Sequence, residues 1–404
     1  MLPPLKIVKA GLRRTTEALA AQLASPQTGT PTPDWSEVEW QLATAVAAAH
    51  GVSALLCNTS TWENPRWRLF LQQQREHTAR RYERIAALLE RIDSEARAAG
   101  LAIVPMKGSA LHALGIYLPG ERPMADIDLL VRGRDAEAAM AVLEELGYVA
   151  SYDTWKHRVF KPASGKLASG LGEHRDNPIT IELHTHVQER LPVATVDISR
   201  CIFPVAAVPG LNPYPSTSAL MSHLLLHTGG NIRGRSVRLL HLNDIARLAK
   251  RMTGSDWNSL WDLHGAESPW WALPALYLTA RYYRNCVPEP VLSRLARDCP
   301  AVLRMVSRNQ TLTAASCSAL WTPALPGIEW SRSVGEAARY VRNRFIPGHE
   351  AIKERAAQMR TQEWMQGHAQ YRSRRANMLL ARLMGPIPRM DTLDALRRAF
   401  EVRG

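Results

Sequence analysis

The spacing of hydrophobic residues changes near residue 100 and again near residue 210, and these changes divide the chain into three predicted regions. Between residues 36 and 100, apolar residues recur at every third or fourth position, as they do along an amphipathic helix. Asp34 or Ser36 is expected to cap the first of these helices, and Gly100 to end the last. We therefore expect an N-terminal helical region over residues 1–100.

Short apolar runs typical of buried strands lie between residues 101 and 210. We predict strands at residues 101–106, 124–131, 157–163 and 178–187. Two stretches with helical spacing separate the first three strands: residues 107–118, and a helix that Asp135 caps and Gly147 closes. The order β-α-β-α-β-β predicts a small mixed sheet backed by helices over residues 101–210.

From residue 211 onward the pattern predicts helices, including a long one from about residue 350 to residue 384, and it contains no internal repeat. These helices are expected to form an all-helical domain over residues 211–404. The predicted fold class is therefore α+β, with a small mixed β-sheet core flanked by N-terminal helices and by a larger C-terminal helical domain.

Composition narrows the class of protein. The five cysteines among 404 residues are scattered and form no Cys-x-x-Cys pair, which argues against a disulfide framework or a zinc site and favours the reducing cytoplasm. No stretch approaches the roughly 20 apolar residues of a membrane span, and the N-terminus lacks the apolar core of a signal peptide. We expect neither export nor membrane insertion.

The net charge of +13 is concentrated towards the end of the chain, where residues 331–404 hold 15 Lys and Arg against 7 Asp and Glu. Residues 101–190 are slightly acidic, with 10 basic against 12 acidic residues. A basic region beside an acidic centre is compatible with an anionic partner such as RNA, a nucleotide or an acidic protein.

Two carboxylates interrupt the apolar strand at residues 124–131. Side chains alternate along a strand, so Asp126 and Asp128 are expected to share one face, about 6.6 Å apart along the chain. The opposite face is apolar and is expected to pack on helices, leaving the acidic pair facing outward. Two like charges so placed favour a bound cation, and oxygen ligands suit a hard ion such as magnesium.

A third carboxylate lies on the strand at residues 178–187, where Thr180, Glu182, His184 and His186 alternate with apolar residues. If this strand lies beside the acidic strand, Glu182 joins Asp126 and Asp128. Three such carboxylates can hold two metal ions about 3.5 to 4 Å apart, the arrangement used in phosphoryl transfer. His184 and His186 are expected to be structural or substrate-facing, because magnesium prefers oxygen.

The turn between the first strand and its helix supplies groups that suit phosphate. Gly108 and Ser109 lie where free backbone N–H groups and the helix dipole attract anions, and Lys107 and Arg122 add positive charge. Other roles for these two cations stay open, since Lys107 could pair with a nearby acid and Arg122 could anchor its loop.

The run KGSALHALGIYLPGERPMADIDLLV, followed by IELH, resembles the poorly characterised bacterial nucleotidyltransferases of the DNA polymerase β superfamily. Their signature is lysine-glycine, a helix, an arginine and then Asp-x-Asp. The resemblance covers roughly residues 40–260. In three respects the chain departs from the superfamily: Lys107 replaces the usual hydrophobic residue before Gly-Ser, the gap between Ser109 and Asp126 is long, and Thr185 stands where an aromatic residue is expected.

The resemblance implies a role for each motif residue. Asp126 and Asp128 would bind both metal ions, and Glu182 would complete one metal site and help to activate the acceptor. Gly108 and Ser109 would hold the triphosphate. The implied enzyme uses two Mg²⁺ ions and moves a nucleoside monophosphate from a nucleoside triphosphate, with ATP expected as the donor, and releases pyrophosphate.

The acceptor stays open among a small molecule, a peptide or protein side chain and an RNA end, and so does the oligomeric state. The alternative function is a non-catalytic module of the same fold that binds nucleic acid or a protein partner. Glycosyltransferases and haloacid-dehalogenase phosphatases also use Asp-x-Asp, but the former do not need Glu182 and the latter commonly have Thr where Leu130 stands.

Further along the chain, His223 and His227 lie four residues apart on a predicted helix, and His241 and Asp244 lie on the next. Such histidines can bind zinc, but no third ligand with suitable spacing is evident. We expect them to be core or nucleotide-contacting residues.

Overall fold

The computed structural model describes most of the chain, namely residues 2–26, 31–165, 170–265, 267–349, 375–385 and 387–401, with isolated positions between 350 and 374. Most of the segment predicted as helix between residues 350 and 374 therefore lies outside the described residues. The end of that prediction is confirmed, because a helix spans Arg375–Met384.

The N-terminal region is helical, as predicted. Ser36 caps the second helix. Its hydroxyl accepts from the backbone N–H of Glu39, and the Glu39 carboxylate accepts from the backbone N–H of Ser36. Asn64 caps the long fourth helix through the N–H of Trp67. The four helices are α1 (Leu5–Ala24), α2 (Glu37–Ala49), α3 (Ser53–Thr59) and α4 (Pro65–Ala98).

The central sheet is mixed, as predicted, but it has six strands instead of four. Its strands and their neighbours in the chain are β1 (Ala102–Pro105), β2 (Asp126–Leu130), β3 (Tyr148–Asp153), β4 (His157–Pro162), β5 (Thr180–His184), β6 (Gln188–Arg190), β7 (Thr195–Asp197) and β8 (Gly210–Leu211). The sheet order is β3-β4-β5-β2-β1-β8, and β6 pairs with β7 separately. The pairs β2–β5 and β1–β8 are parallel, and the other pairs in the sheet are antiparallel.

Two helices connect the strands, α5 (Gly108–Ala113) and α6 (Ala136–Glu145). Asp135 occupies the N-cap position of α6, but its side chain makes no capping hydrogen bond, so this part of the prediction is wrong. The helix follows a short 3₁₀ turn over Gly133–Asp135. Because that turn leads directly into α6, Asp135 already has helical backbone angles, which do not suit a side-chain cap.

One face of the sheet packs against α4 and α6. The buried side chains there come from alternate positions of β1, β2, β4 and β5, and include Ile103, Ile127, Leu129, Phe160, Ile181 and Leu183. They contact Ile85, Leu88 and Ile92 of α4 and Val142 and Leu143 of α6, within the same cluster. This buried face fixes which side chains of β2 and β5 are left for the opposite face.

Helices make up most of the described chain after β7. They are α7 (Ser199–Ile202), α8 (Thr217–Gly234), α9 (Leu239–Ala249), α10 (Gly254–Asp262), α11 (Leu273–Tyr282), α12 (Glu289–Asp298), α13 (Ala301–Asn309), α14 (Leu312–Ala315), α15 (Val334–Phe345), α16 (Arg375–Met384) and α17 (Met390–Glu401). The region also contains a short strand pair, β9 (Trp321–Thr322) with β10 (Ile387–Pro388), that the periodicity did not indicate.

One hydrophobic core joins helices from both ends of the chain. Leu12 of α1, Leu42 of α2, Leu225 of α8, Leu242 of α9 and Leu276 of α11 belong to a single buried cluster. The proposed boundaries at residues 100 and 210 stay a prediction. Within the described residues no single helix is long and apolar enough to cross a membrane, although α2 and α3, bent by 115° at their junction, pass that test together.

Candidate functional site

The register of β2 and β5 brings the three predicted carboxylates together. These strands are parallel neighbours, and Asp128 is the direct partner of Glu182 while Asp126 is the partner of Thr180. Side chains that alternate along each strand therefore place all three acids on one face. The expectation that depended on strand adjacency, a carboxylate group made of Asp126, Asp128 and Glu182, is confirmed as a spatial cluster.

The acidic face is turned away from the packed side of the sheet, as expected, and it lines a cavity of about 420 Å³ between the sheet and α8 and α9. Asp128 is only 5% exposed, because the C-terminal helices cover the face that the strand leaves free. The cavity is lined by acidic, basic and imidazole groups, including Lys107, Asp126, Lys156, His157, Glu182, His184, Arg238 and His241. Charged groups of both signs thus meet in one partly enclosed space.

Lys107 pairs with an acid of this cluster. Its Nζ lies 2.6 Å from Oδ1 of Asp128, and both side chains are largely buried. The residue connects β1 to α5 with a backbone φ of +51°, a conformation uncommon for a side chain with a Cβ. Although burial raises the pKa of Asp128, the Lys107 ammonium and the His184 imidazole together hold it well below its usual range.

Gly108 and Ser109, which follow Lys107, line two different cavities. Gly108 lines the central cavity, and a Cβ there would come within 2.3 Å of Nη1 of Arg122, so the turn accommodates only glycine. Ser109 is buried and lines a different cavity of about 530 Å³, beside Ala110 and Tyr214. Contact of either residue with a triphosphate stays a prediction.

Arg122 anchors its loop, as the alternative interpretation of this residue predicted. Its Nε and Nη2 donate to the two carboxylate oxygens of Asp244 on α9 at 2.9 and 2.8 Å, and both side chains are buried. Tyr117 donates a further hydrogen bond to Asp244 at 2.7 Å. The guanidinium therefore ties the loop before β2 to the C-terminal helices, and its contact with phosphate stays a prediction.

Asp126 carries the least compensated charge of the cluster. Among the residues that the structure describes, no ion pair or hydrogen bond reaches its carboxylate. Burial, together with the negative charges of Asp128 and Glu182, raises the pKa of Asp126 to about 7. The site therefore accumulates negative charge that a bound cation would relieve.

Two histidines complete the acidic end of the cavity. His157 of β4 lies directly opposite His184 of β5 in the antiparallel register. The Nε2 of His184 lies 3.1 Å from Oδ1 of Asp128, and Nδ1 of His157 lies 3.3 Å from Oε2 of Glu182. The sequence analysis did not identify His157 as a site residue. It is the first residue of the strand predicted at residues 157–163, and nothing in the pattern of that strand distinguishes it.

The more distant histidines are buried core groups that also line the cavity. Nδ1 of His223 forms a hydrogen bond of 2.7 Å with the hydroxyl of Tyr214, and the rings of His227 and His241 meet edge to face. Burial lowers the pKa of His223 to about 3 and those of His227 and His241 well below their usual range. The prediction of core or nucleotide-contacting histidines agrees with this burial, and nucleotide contact stays untested.

Arg81 of α4 positions the two acidic strands, although no pattern along the chain points to this residue. The side chain is 2% exposed, and it donates to the carbonyl oxygens of Met124 and Ala125 just before β2. It also donates to the carbonyls of Asn177 and Pro178 just before β5. One buried guanidinium thus fixes the entrances of both strands that carry the carboxylates.

A family model described as uncharacterised nucleotidyltransferase matches residues 36–288. The chain belongs to this nucleotidyltransferase family. The matched residues include the acidic cluster, the Lys107 turn and the Arg122–Asp244 pair, and the family description indicates a transferase that acts on a nucleotide. Searches of curated proteins and of solved structures found no significant match. Bacterial origin and the DNA polymerase β superfamily stay predictions.

Proposed function

We propose that the protein transfers a nucleoside monophosphate from a nucleoside triphosphate to an acceptor and releases pyrophosphate, with magnesium as the cofactor and ATP as the donor. The single observation that carries the proposal is the strand register that places Asp126, Asp128 and Glu182 on one face of a cavity. Such a carboxylate group is the ligand set that magnesium-dependent phosphoryl transfer needs.

The residues present fit magnesium. The three side chains offer carboxylate oxygens, the ligands that this ion prefers. Burial and the acidic neighbours raise the pKa of Asp126 to about 7. A bound cation would offset the negative charge that causes this rise. Asp126, Asp128 and Glu182 would hold the metal, which when bound neutralises charge on the phosphates and polarises the phosphorus–oxygen bonds.

Basic groups around the cavity suit the phosphates. Arg238, exposed at the start of α9, has no acidic ion-pair partner among the described residues, whereas Lys107 and Arg122 each pair with an aspartate. We therefore assign the triphosphate contact first to Arg238. Lys107 and Gly108 at the turn come second.

The transfer itself requires positioning and one proton movement. The acceptor oxygen or nitrogen bonds to the α-phosphorus as the bond to the bridging oxygen of pyrophosphate breaks in line with it. Glu182, at the edge of the cluster with a side chain 20% exposed, receives or helps to remove the acceptor proton.

The test is pyrophosphate release from the purified chain with Mg²⁺, each of the four ribonucleoside triphosphates and pools of small hydroxylated, peptide and RNA acceptors. Asp128→Asn is expected to lower the rate by at least about a hundredfold, because it removes a charge that would bind metal. Asp262→Asn, at the exposed end of α10, is the matched control and should retain the wild-type rate.

Equal rates of pyrophosphate release by wild type and Asp128→Asn would contradict the proposal. Salt-sensitive retention of RNA or a protein that persists in Asp128→Asn, with no turnover by wild type, would instead support the non-catalytic binding module.

A further inference from the structure

A cluster with mixed nitrogen and oxygen ligands lies beside the three carboxylates. It consists of His157, Glu182 and His184, and one ligand atom from each residue lies within 4.8 Å of the other two. The antiparallel register of β4 and β5 makes the two histidines direct partners, with ring centroids 4.8 Å apart. The cluster is therefore fixed by backbone pairing and not by chance contact of mobile side chains.

The spacing of these three atoms suits a common central ion. Ligand atoms about 2.1 Å from one divalent metal lie about 3 to 4 Å from each other. The Oε2 of Glu182 lies 3.3 Å from Nδ1 of His157 and 3.7 Å from Nε2 of His184. The three atoms could thus converge on one ion with only small side-chain rotations.

His157 provides an independent observation. Its Nδ1 atom is buried and has no hydrogen-bond partner, although it lies 3.3 Å from the Glu182 carboxylate. Leaving a buried polar atom unpaired is costly, and each such atom in a folded protein needs an explanation.

We propose that His157, Glu182 and His184 bind a divalent transition-metal ion in preference to magnesium. Two imidazole nitrogens and one carboxylate oxygen are ligands for divalent transition-metal ions such as Co²⁺, Zn²⁺ or Mn²⁺, whereas magnesium favours oxygen alone. On binding, Nε2 of His184 exchanges its hydrogen bond to Asp128 for the ion, and the imidazole binds in its neutral form with its proton on Nδ1. Asp128 keeps Lys107 as its partner.

The site goes beyond the proposed function, because it requires neither a nucleotide nor turnover. It shares only Glu182 with the three carboxylates assigned to magnesium. A preference for transition metals therefore tests the histidine site alone, and pyrophosphate release tests nucleotidyl transfer alone.

The experiment titrates the full-length, chelator-treated protein with Co²⁺, Mn²⁺ and Mg²⁺ by calorimetry and records the absorption spectrum of the Co²⁺ form. Wild type is expected to bind Co²⁺ at least about tenfold more tightly than Mg²⁺. His157→Ala should lower the Co²⁺ affinity at least about tenfold and leave Mg²⁺ affinity unchanged, because only a nitrogen ligand is lost.

His186→Ala is the matched control. His186 follows the same strand and lines the same cavity, but it is 56% exposed and hydrogen-bonds to Asp197 at 2.9 Å, outside the cluster. This variant should retain the wild-type affinities for both ions. A Co²⁺ affinity that His186→Ala lowers as much as His157→Ala would overturn the assignment.

A second measurement uses only the wild-type protein and so does not depend on whether a variant folds. It records pulsed electron paramagnetic resonance of the protein loaded with Mn²⁺. Couplings to imidazole nitrogen are expected for a bound ion. Their absence, or equal affinities of wild type for Co²⁺ and Mg²⁺, would refute the site.

Discussion

Lys107, at the turn before Gly108, brings a positive charge directly to the acidic cluster. The Nζ of its ammonium group lies 2.6 Å from the Asp128 carboxylate. The cation compensates one of three clustered acids when no metal is bound. Because the pair is largely buried, either partner alone would leave an uncompensated charge in the cavity.

Lys107→Met is therefore expected to lower the free energy of unfolding by about 3–5 kcal/mol in the presence of a chelator. Mg²⁺ should restore part of this loss, because the ion takes over the compensation of Asp128 and no longer competes with the ammonium. The measurement is the midpoint of thermal unfolding with chelator and with Mg²⁺. Lys250→Met, at an exposed position, is the control. An Mg²⁺-induced rise no larger than in wild type would contradict this role.

The sequence predicted the acidic residues of the site better than the imidazoles. Asp126, Asp128 and Glu182 followed from alternation within two strands, which is local information. His157 enters the site only through the register of β4 with β5, which places it opposite His184. That register depends on pairing across a long loop, and no spacing along the chain encodes it.

At the level of secondary structure, the long helices and the buried strands were predictable, but the edge strands were not. In β3 most side chains are exposed, so its alternation carries little hydrophobic signal. The two residues of β8 are too few for any period, and they join the sheet only because β1 offers a parallel edge. The two edge strands were therefore missed, whereas β1, β2, β4 and β5 were predicted.

The entrances of β2 and β5 depend on one helix. Arg81 of α4 reaches four carbonyl oxygens, two before each strand, so these segments keep their positions relative to each other. The forked guanidinium can satisfy several acceptors at once, which the single ammonium of lysine cannot. Nothing in the helical periodicity distinguishes Arg81 from the other arginines of α4.

Arg81→Lys is expected to lower the free energy of unfolding by about 2–4 kcal/mol, because buried carbonyls lose their donors. Amide hydrogens in β2 and β5 should exchange faster, since the strand entrances lose their common anchor. Urea denaturation and hydrogen exchange measure these effects. Arg80→Lys, 61% exposed on the same helix, should change neither. Unchanged exchange in β2 and β5 would argue against the anchoring role.

Across the whole molecule, one buried ion pair links the sheet to the C-terminal helices. Arg122 before β2 and Asp244 of α9 form two hydrogen bonds below 3 Å, and Tyr117 donates a third to the same carboxylate. The cavity lies between the elements that this pair connects. Its geometry therefore depends on a contact between residues 122 positions apart in the chain.

Removal of both partners is predicted to cost less than the two single removals added together. Arg122→Met or Asp244→Leu should each lower the free energy of unfolding by about 3–5 kcal/mol, because each leaves a buried charge unpaired. The double variant should be less destabilised than the sum of the single variants, which a double-mutant cycle by urea denaturation measures. Strict additivity of the two effects would show that the pair is not energetically coupled.

Buried neutral histidines make the stability of the whole fold sensitive to acid. His50 illustrates the effect away from the acidic cluster, because its Nδ1 accepts from the N–H of Leu239 and its Nε2 lies 2.9 Å from the hydroxyl of Ser318. Burial, with a smaller effect of Arg238, lowers the pKa of His50 to about 3. In the unfolded chain a histidine takes up a proton below about pH 6.5, whereas the folded protein holds His50 neutral. Its contribution to stability is therefore complete above pH 6.5 and declines as the pH falls from there towards 3.

His50→Asn keeps an acceptor for Leu239 but removes the titrating group. We expect the loss of unfolding free energy between about pH 7.5 and about pH 5 to be smaller in this variant than in wild type, by up to about 2 kcal/mol. Urea denaturation at the two pH values measures the difference. His349→Asn, which replaces an exposed histidine, should show the wild-type dependence. An identical pH dependence in His50→Asn and wild type would mean that His50 does not contribute to the acid sensitivity, and that the other buried histidines account for it.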